Sequence, residues 1–219
     1  MRRNEIAILI ILVLILTTSG SSQELSRSFS IAKSSPTNFE PTTFEFSTAN
    51  HNYSITNYGK GLRGSSNDTP QSFSLPLNKD DYLTSSLYYA EYQGDLLLIG
   101  EVSDGDYGSG FIVRLDKRTL RIKWKQIVNA FNVGQGLIDG DYTYVTGIGF
   151  IGKVSLKTGA YVWRHQDLYQ RSNSAFNSFD LPEVEGNIVV FRESSHYLRK
   201  KIAVIKVERS KGKIISVDT

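Results

Sequence analysis

The chain has 219 residues, 40% of them hydrophobic, 11% aromatic and 21% charged, with a net charge of +3 and no cysteine. That composition excludes a disordered, collagenous or coiled-coil chain. The missing Cys removes disulfides, thiolate metal sites, cysteine nucleophiles and redox pairs.

The N-terminus reads as a targeting segment. Arg2 and Arg3 precede the apolar run from Ile6 to Leu16, and Thr17, Thr18, Ser19, Gly20, Ser21 and Ser22 follow it. This is the charged, apolar and small-residue order of a secretory signal peptide. The run has 11 residues, short of the roughly 20 that a membrane span needs; an uncleaved anchor is the alternative. Residues 1–22 are therefore assigned to a signal peptide, and the remainder to an extracytoplasmic compartment, periplasmic or secreted. A bacterial envelope is favoured, since eukaryotic exported domains often carry disulfides.

Residues 23–79 are rich in Ser, Thr, Asn, Pro and Gly. They read as an irregular polar arm with isolated strands at 43–47 and 53–56, and 57–70 reads as a loop. The character changes near residue 80. Short β-branched and aromatic runs at 87–93, 95–102, 111–116, 142–147, 150–155 and 187–192 alternate with Gly and Asp turns. Such spacing predicts a sandwich, barrel or propeller over 80–219.

A repeat narrows the choice. The segment starting Gly94-Asp95-Leu96 recurs from Gly140-Asp141-Tyr142 and again from Gly186-Asn187-Ile188, at a spacing of 46 residues both times. Downstream, Phe111, Thr119 and Trp124 match Phe150, Thr158 and Trp163 at a spacing of 39. Gly159 ends the second turn. A third copy keeps Gly212 but has Ser216 where Trp is expected. A period of about 40–50 residues containing several strands marks propeller blades. A large aromatic on the last strand of such a unit can wedge between neighbours, because one four-stranded sheet cannot bury both faces alone.

The pattern of strand, Leu-Asp or Val-Ser, Lys, Thr, Gly and Trp resembles the pyrroloquinoline-quinone-like β-propeller repeat. That repeat occurs in quinoprotein dehydrogenases and in non-enzymatic envelope proteins, such as the propeller lipoprotein that assists outer-membrane β-barrel assembly. The resemblance covers roughly residues 85–219. It implies an all-β, propeller-like array of four-stranded antiparallel blades, about three of them visible, with room for a fourth. The arm or a homodimer would then close the ring. The family's quinone commonly stacks on an adjacent Cys pair near a calcium-binding carboxylate. This chain has no Cys, so no cofactor and no catalytic residue is carried over.

Other motifs read more plainly. Gly147, Gly149 and Gly152 fit a dinucleotide fingerprint, but a short strand and a turn follow where a helix is required. Asp104, Asp106 and Gly108 open like a calcium loop, yet the third ligand position is Gly and the twelfth is Leu115. His51, His165 and His196 lack metal-ligand spacing. Arg199, Lys200, Lys201, Lys206, Arg209, Lys211 and Lys213 form a basic segment, a candidate site for phosphate, anionic lipid or acidic glycan.

Together these features predict an exported, non-enzymatic binding or scaffold protein that engages an envelope protein. One alternative is an exported propeller enzyme, or a quinone- or sugar-binding protein, with a central pocket. Another is an anionic-lipid or polysaccharide binder acting through the basic segment. Nucleic acid is not expected as a partner of an exported chain.

Overall fold

The computed structural model describes residues 26–34, 43–57, 61–76, 82–103, 108–166, 168, 177–194 and 201–218. The segment read as a signal peptide lies outside them. The protein is all-β, with no helix among the described residues. The first strands among the described residues have two residues each, β1 (Arg27–Ser28), β2 (Ser30–Ile31) and β3 (Lys33–Ser34). Four antiparallel meanders follow. Sheet 1 holds β4 (Thr43–Ser47), β5 (Asn52–Asn57), β6 (Gly61–Ser66) and β7 (Thr69–Pro76). Sheet 2 holds β8 (Tyr82–Tyr92), β9 (Asp95–Ser103), β10 (Gly108–Asp116) and β11 (Ile122–Val128). Sheet 3 holds β12 (Leu137–Asp139), β13 (Tyr142–Gly147), β14 (Phe150–Ser155) and β15 (Tyr161–His165). Sheet 4 holds β16 (Glu183–Glu185), β17 (Ile188–Arg192), β18 (Val204–Glu208) and β19 (Ile214–Asp218). Sequence neighbours are sheet neighbours throughout each meander.

Three apolar clusters join the sheets in series. Phe44, Ile55, Leu62 and Phe73 of sheet 1 meet Leu96, Leu98 and Phe111 of sheet 2. The other face of sheet 2, with Leu97, Ile99 and Ile112, meets Val145, Phe150 and Val154 of sheet 3. Tyr144, Ile151 and Trp163 of sheet 3 then meet Val189, Phe191 and Ile205 of sheet 4. Sheet 2 is covered on both faces, so its central strand β9 is a continuous apolar run: Leu96, Leu97, Leu98 and Ile99 are all fully buried.

Sheet 1 differs from the sequence expectation of an irregular arm over 23–79. Residues 43–76 form a regular four-stranded meander. Sheet 1 has one packed face only. The packed face carries apolar residues at every second position of β4 and β5, as in Phe44 and Phe46 or Tyr53 and Ile55, and mostly Ser, Thr and charged residues line the other face. The polar half of that alternation makes the stretch look like loop, although the period of two is present.

The true arm is short and acts as a clasp. β1 pairs with β12, β2 with β8, and β3 with β4. The arm thus adds a fifth strand to the first-strand edge of sheets 3, 2 and 1 in turn. Between these pairings the Phe29 N–H donates to the Gly136 carbonyl at 3.0 Å, and the Ala32 N–H to the Leu87 carbonyl at 2.9 Å. Phe29 and Ala32 are buried, which anchors the crossing points.

Candidate functional site

The repeat residues sit at the junctions between sheets. Trp124 of sheet 2 donates its indole N–H to the Leu156 carbonyl of sheet 3 at 3.0 Å. Trp163 of sheet 3 donates to the Arg209 carbonyl of sheet 4 at 3.2 Å. A cation opposite each Trp reaches the same carbonyl. Arg114 pairs across the strands with Trp124 and donates to Leu156 O at 2.8 Å. Lys153 pairs with Trp163 and donates to Arg209 O at 2.9 Å. Each Trp lies on the turn that ends in the repeat glycine: a Cβ at Gly159 would fall 2.7 Å from Trp124 Cδ2, and one at Gly212 would fall 2.6 Å from Trp163 Cδ2. Thr119 closes its turn by donating to Asp116 Oδ1 at 3.0 Å, and Thr158 accepts the Ala160 N–H at 3.2 Å. Gly94, Gly140 and Gly186 occupy the turn between the first and second strands of sheets 2, 3 and 4.

Buried carboxylates complete the junctions. Asp95 accepts from Arg114 Nε at 2.5 Å and from Lys123 Nζ at 2.8 Å. Asp139 of sheet 3 accepts from Arg209 Nε and Nη2 of sheet 4 at 2.8 and 2.6 Å, and from the Tyr144 hydroxyl at 3.1 Å. Burial pushes the Lys153 ammonium below its ordinary range; its Nζ lies 4.2 Å from the centre of the Tyr142 ring. Burial likewise raises the Tyr144 hydroxyl, with the Asp139 charge adding to the rise.

Two further carboxylates carry no motif of their own in the sequence. Glu101 accepts the Val133 N–H at 3.0 Å, and burial raises its carboxyl above the usual range. Glu193 is fully buried and accepts the N–H groups of Asn177 at 2.7 Å and Ala203 at 2.9 Å. Each stands 7 residues after a repeat glycine, Gly94 or Gly186. Register with the repeat is the signal that would have found them. Both tie down the segment that leads into a neighbouring strand.

Of the remaining motifs, those within the described residues lie in hairpins and turns. The glycines from Gly147 to Gly152 belong to the β13–β14 hairpin, paired from Gly147 and Phe150 onward. His165 Nε2 lies 2.6 Å from the Gly212 carbonyl, and His51 belongs to the turn before β5. His196 and residues 104–107 of the calcium-like loop lie outside the described residues.

The described residues of the basic segment are spread along sheet 4. Arg199 and Lys200 lie outside the described residues. Lys201 precedes β18, whereas Lys211 and Lys213 follow it, at the other end of a five-residue strand about 16 Å long. Lys206 is mid-strand and half-buried. Arg209 is bound to Asp139 inside the junction. Sequence proximity suggested a shared field, but a strand spreads its residues over its full length, and a buried carboxylate 70 residues away in sequence claims one of the cations.

On the first-strand side, what the scaffold leaves open among the described residues is one edge. The first strands of sheets 1, 2 and 3 are paired by the arm, but β16 of sheet 4 is an edge strand among the described residues. Leu181 is 39% exposed beside it, and Asp180, Glu183 and Glu185 are exposed. Between sheets 1 and 2 there is also an open cleft of about 470 Å³, lined in part by Ser72, Phe73, Thr119 and Arg121. It lies where a Trp fills the other two junctions.

Neither a protein-family model nor a curated protein matches this chain.

Proposed function

We propose that the chain is an exported, non-enzymatic binding module, that its four sheets are blades of a propeller-like array, and that it engages another protein of the cell envelope. The observation that carries this reading is the employment of the polar residues at the sheet junctions. Asp95, Arg114, Asp139, Lys153 and Arg209 all bond across strands or to the next sheet. These residues are therefore a device for stacking sheets, and the unpaired first-strand edge of sheet 4 is the surface we assign to recognition. Strand edges with free N–H and C=O groups are natural protein-binding elements.

The test is capture of the tagged full chain after crosslinking in cells of its host. A stoichiometric protein partner, reconstituted from purified components, is the expected result. Recovery of the chain alone would overturn the reading and direct attention to a small ligand. N-terminal sequencing of the recovered chain tests export: a start near residue 23 is expected, and a start at Met1 would refute cleavage.

A further inference from the structure

We infer that the open edge of sheet 4, at β16, receives an extended peptide of a partner protein in which cationic and apolar residues alternate. This assignment rests on the protein-binding reading above and names its site.

The first argument is one of equivalence. The first-strand edges of sheets 1, 2 and 3 each pair with a dipeptide of the arm. β16 holds the same place in sheet 4. Its opposite side is unpaired among the described residues.

The second argument is that this edge is built differently from the outer edges. In all four sheets the last strand meets its neighbour through a register shift, at Ser65/Ser66, Arg114/Leu115, Lys153/Val154 and Lys206/Val207. Bulges of this kind twist an edge away from further pairing. The β16–β17 pairing runs without a shift.

The third argument sets the ligand's chemistry. Glu185 and Ile188 flank the two-residue turn at Gly186 and Asn187, so Glu185 and Glu183 point their backbone groups at β17. Val184 lies between them and points its N–H and C=O outward. Ile138 in β12 holds the matching position, and it pairs with Arg27 of the arm. Pro182 has no N–H to offer. The edge therefore accepts a short stretch centred on Val184, the same length that the arm places on each other sheet. Side chains beside it alternate in character. Val184 packs into the apolar cluster with Val189 and Phe191, whereas Glu183 and Glu185 are exposed on the opposite face. Glu183 is shared with Arg192 at 3.4 Å, and Glu185 has no ion pair among the described residues. A strand with Lys or Arg beside the two Glu and an aliphatic residue beside Val184 satisfies both faces. Acidic residues and Pro also guard an edge against indiscriminate pairing. The sign of the charge makes that guard selective, rejecting acidic strands and admitting basic ones.

The experiment titrates the full chain with the capped peptide Ala-Lys-Val-Lys-Val-Lys-Ala, and with its counterpart carrying Glu for Lys, each fluorescently labelled. Saturable binding of the Lys peptide is expected, with the Glu peptide at least about tenfold weaker. Glu183→Lys with Glu185→Lys should weaken the Lys peptide by a similar factor while lowering thermal stability only slightly, since Glu183 gives up an exposed pair with Arg192. Val184→Pro, which removes the outward N–H, should abolish binding. The assignment is overturned if neither peptide saturates, if both bind equally, or if the double variant binds as the parent does. It is also overturned if binding appears only after residues 1–25 are deleted, which would make the chain's own N-terminal segment the occupant. A captured partner that is retained undiminished by the double variant would overturn this edge alone and leave the protein-binding reading standing.

Discussion

Four glycine substitutions separate two reasons for glycine in this chain. Gly94 and Gly186 have φ of +77° and +60°, and a Cβ at either would meet nothing within 4 Å. Replacing them by Ala should cost about 1–2 kcal/mol, the strain of an L-residue in the left-handed region. Gly212 has a similar φ of +72°, but its Cβ would lie 2.6 Å from Trp163 Cδ2. That atom belongs to a rigid ring, and Trp163 is 8% exposed with its N–H bonded to Arg209 O. Gly212→Ala must displace the ring and forfeit part of the roughly 3–5 kcal/mol that truncating a buried Trp costs. Backbone strain and ring displacement together should cost about 3–4 kcal/mol. Gly159→Ala, which meets Trp124 in the same way, should follow Gly212→Ala rather than the first two. Urea denaturation followed by far-ultraviolet circular dichroism measures all of these without relying on the tryptophans themselves. A double-mutant cycle completes the test: in the Trp163→Ala background, Gly212→Ala should cost only about 1–2 kcal/mol. Equal losses at Gly186 and Gly212, or a Gly212 loss unchanged by Trp163→Ala, would refute the claim that the indole rests on the turn.

Asp139→Asn should destabilise the chain by about 2 kcal/mol, below the loss for a fully buried pair because the Arg209 side chain is 39% exposed; an unchanged urea midpoint would show that sheets 3 and 4 do not depend on it. Glu101 has a carboxyl raised by burial, so the folded state holds that proton to higher pH than the unfolded chain does. Its contribution is present at low pH and is lost as pH rises above the ordinary value of 4.5. Glu101→Gln has no such proton and should gain stability relative to the parent between about pH 4 and pH 7; parallel stability curves for the two proteins would contradict this. Trp124→Ala should cost less than Trp163→Ala under the same denaturation, because Trp124 is only half-buried; the reverse order would count against the two junctions being equivalent.

The parts of the fold that were legible are those under two constraints at once. Gly94, Gly140 and Gly186 stand in tight turns and keep register with apolar strands covered on both faces, so repeat and composition agree. Trp124 and Trp163 were readable as wedges because each needs the turn glycine of the following sheet. Sheet 1 was hidden because one polar face dilutes its strands, and because its β6–β7 turn at Asn67 and Asp68 is shorter than the repeat's. The Asp139–Arg209 pair was invisible because nothing local couples residues so far apart. The arm's three pairings were likewise unreadable: a dipeptide strand is too short to carry a period.

The two ends of the stack are lined differently from its junctions. Among the described residues, none of the three apolar clusters joins sheet 4 to sheet 1. On sheet 1 the face away from sheet 2 exposes Glu45, Ser47, Arg63, Ser65 and Ser74. On sheet 4 the pair equivalent to Lys153 and Trp163 is Lys206 and Ser216, which face each other across β18 and β19. The cation is kept and the indole is lost. Stacked repeats need polar outer faces on their terminal units, or the exposed sheet recruits another copy. Ser216 takes the place of the indole at this end, half-buried on the face that also carries Val190. Ser216→Trp is thus expected to add an exposed indole to sheet 4 and to promote self-association in sedimentation velocity, with no gain in unfolding free energy. A monomer stabilised by that substitution as much as Trp163→Ala destabilises it would mean that this face is covered in solution, and the sheets would then have to meet in a ring.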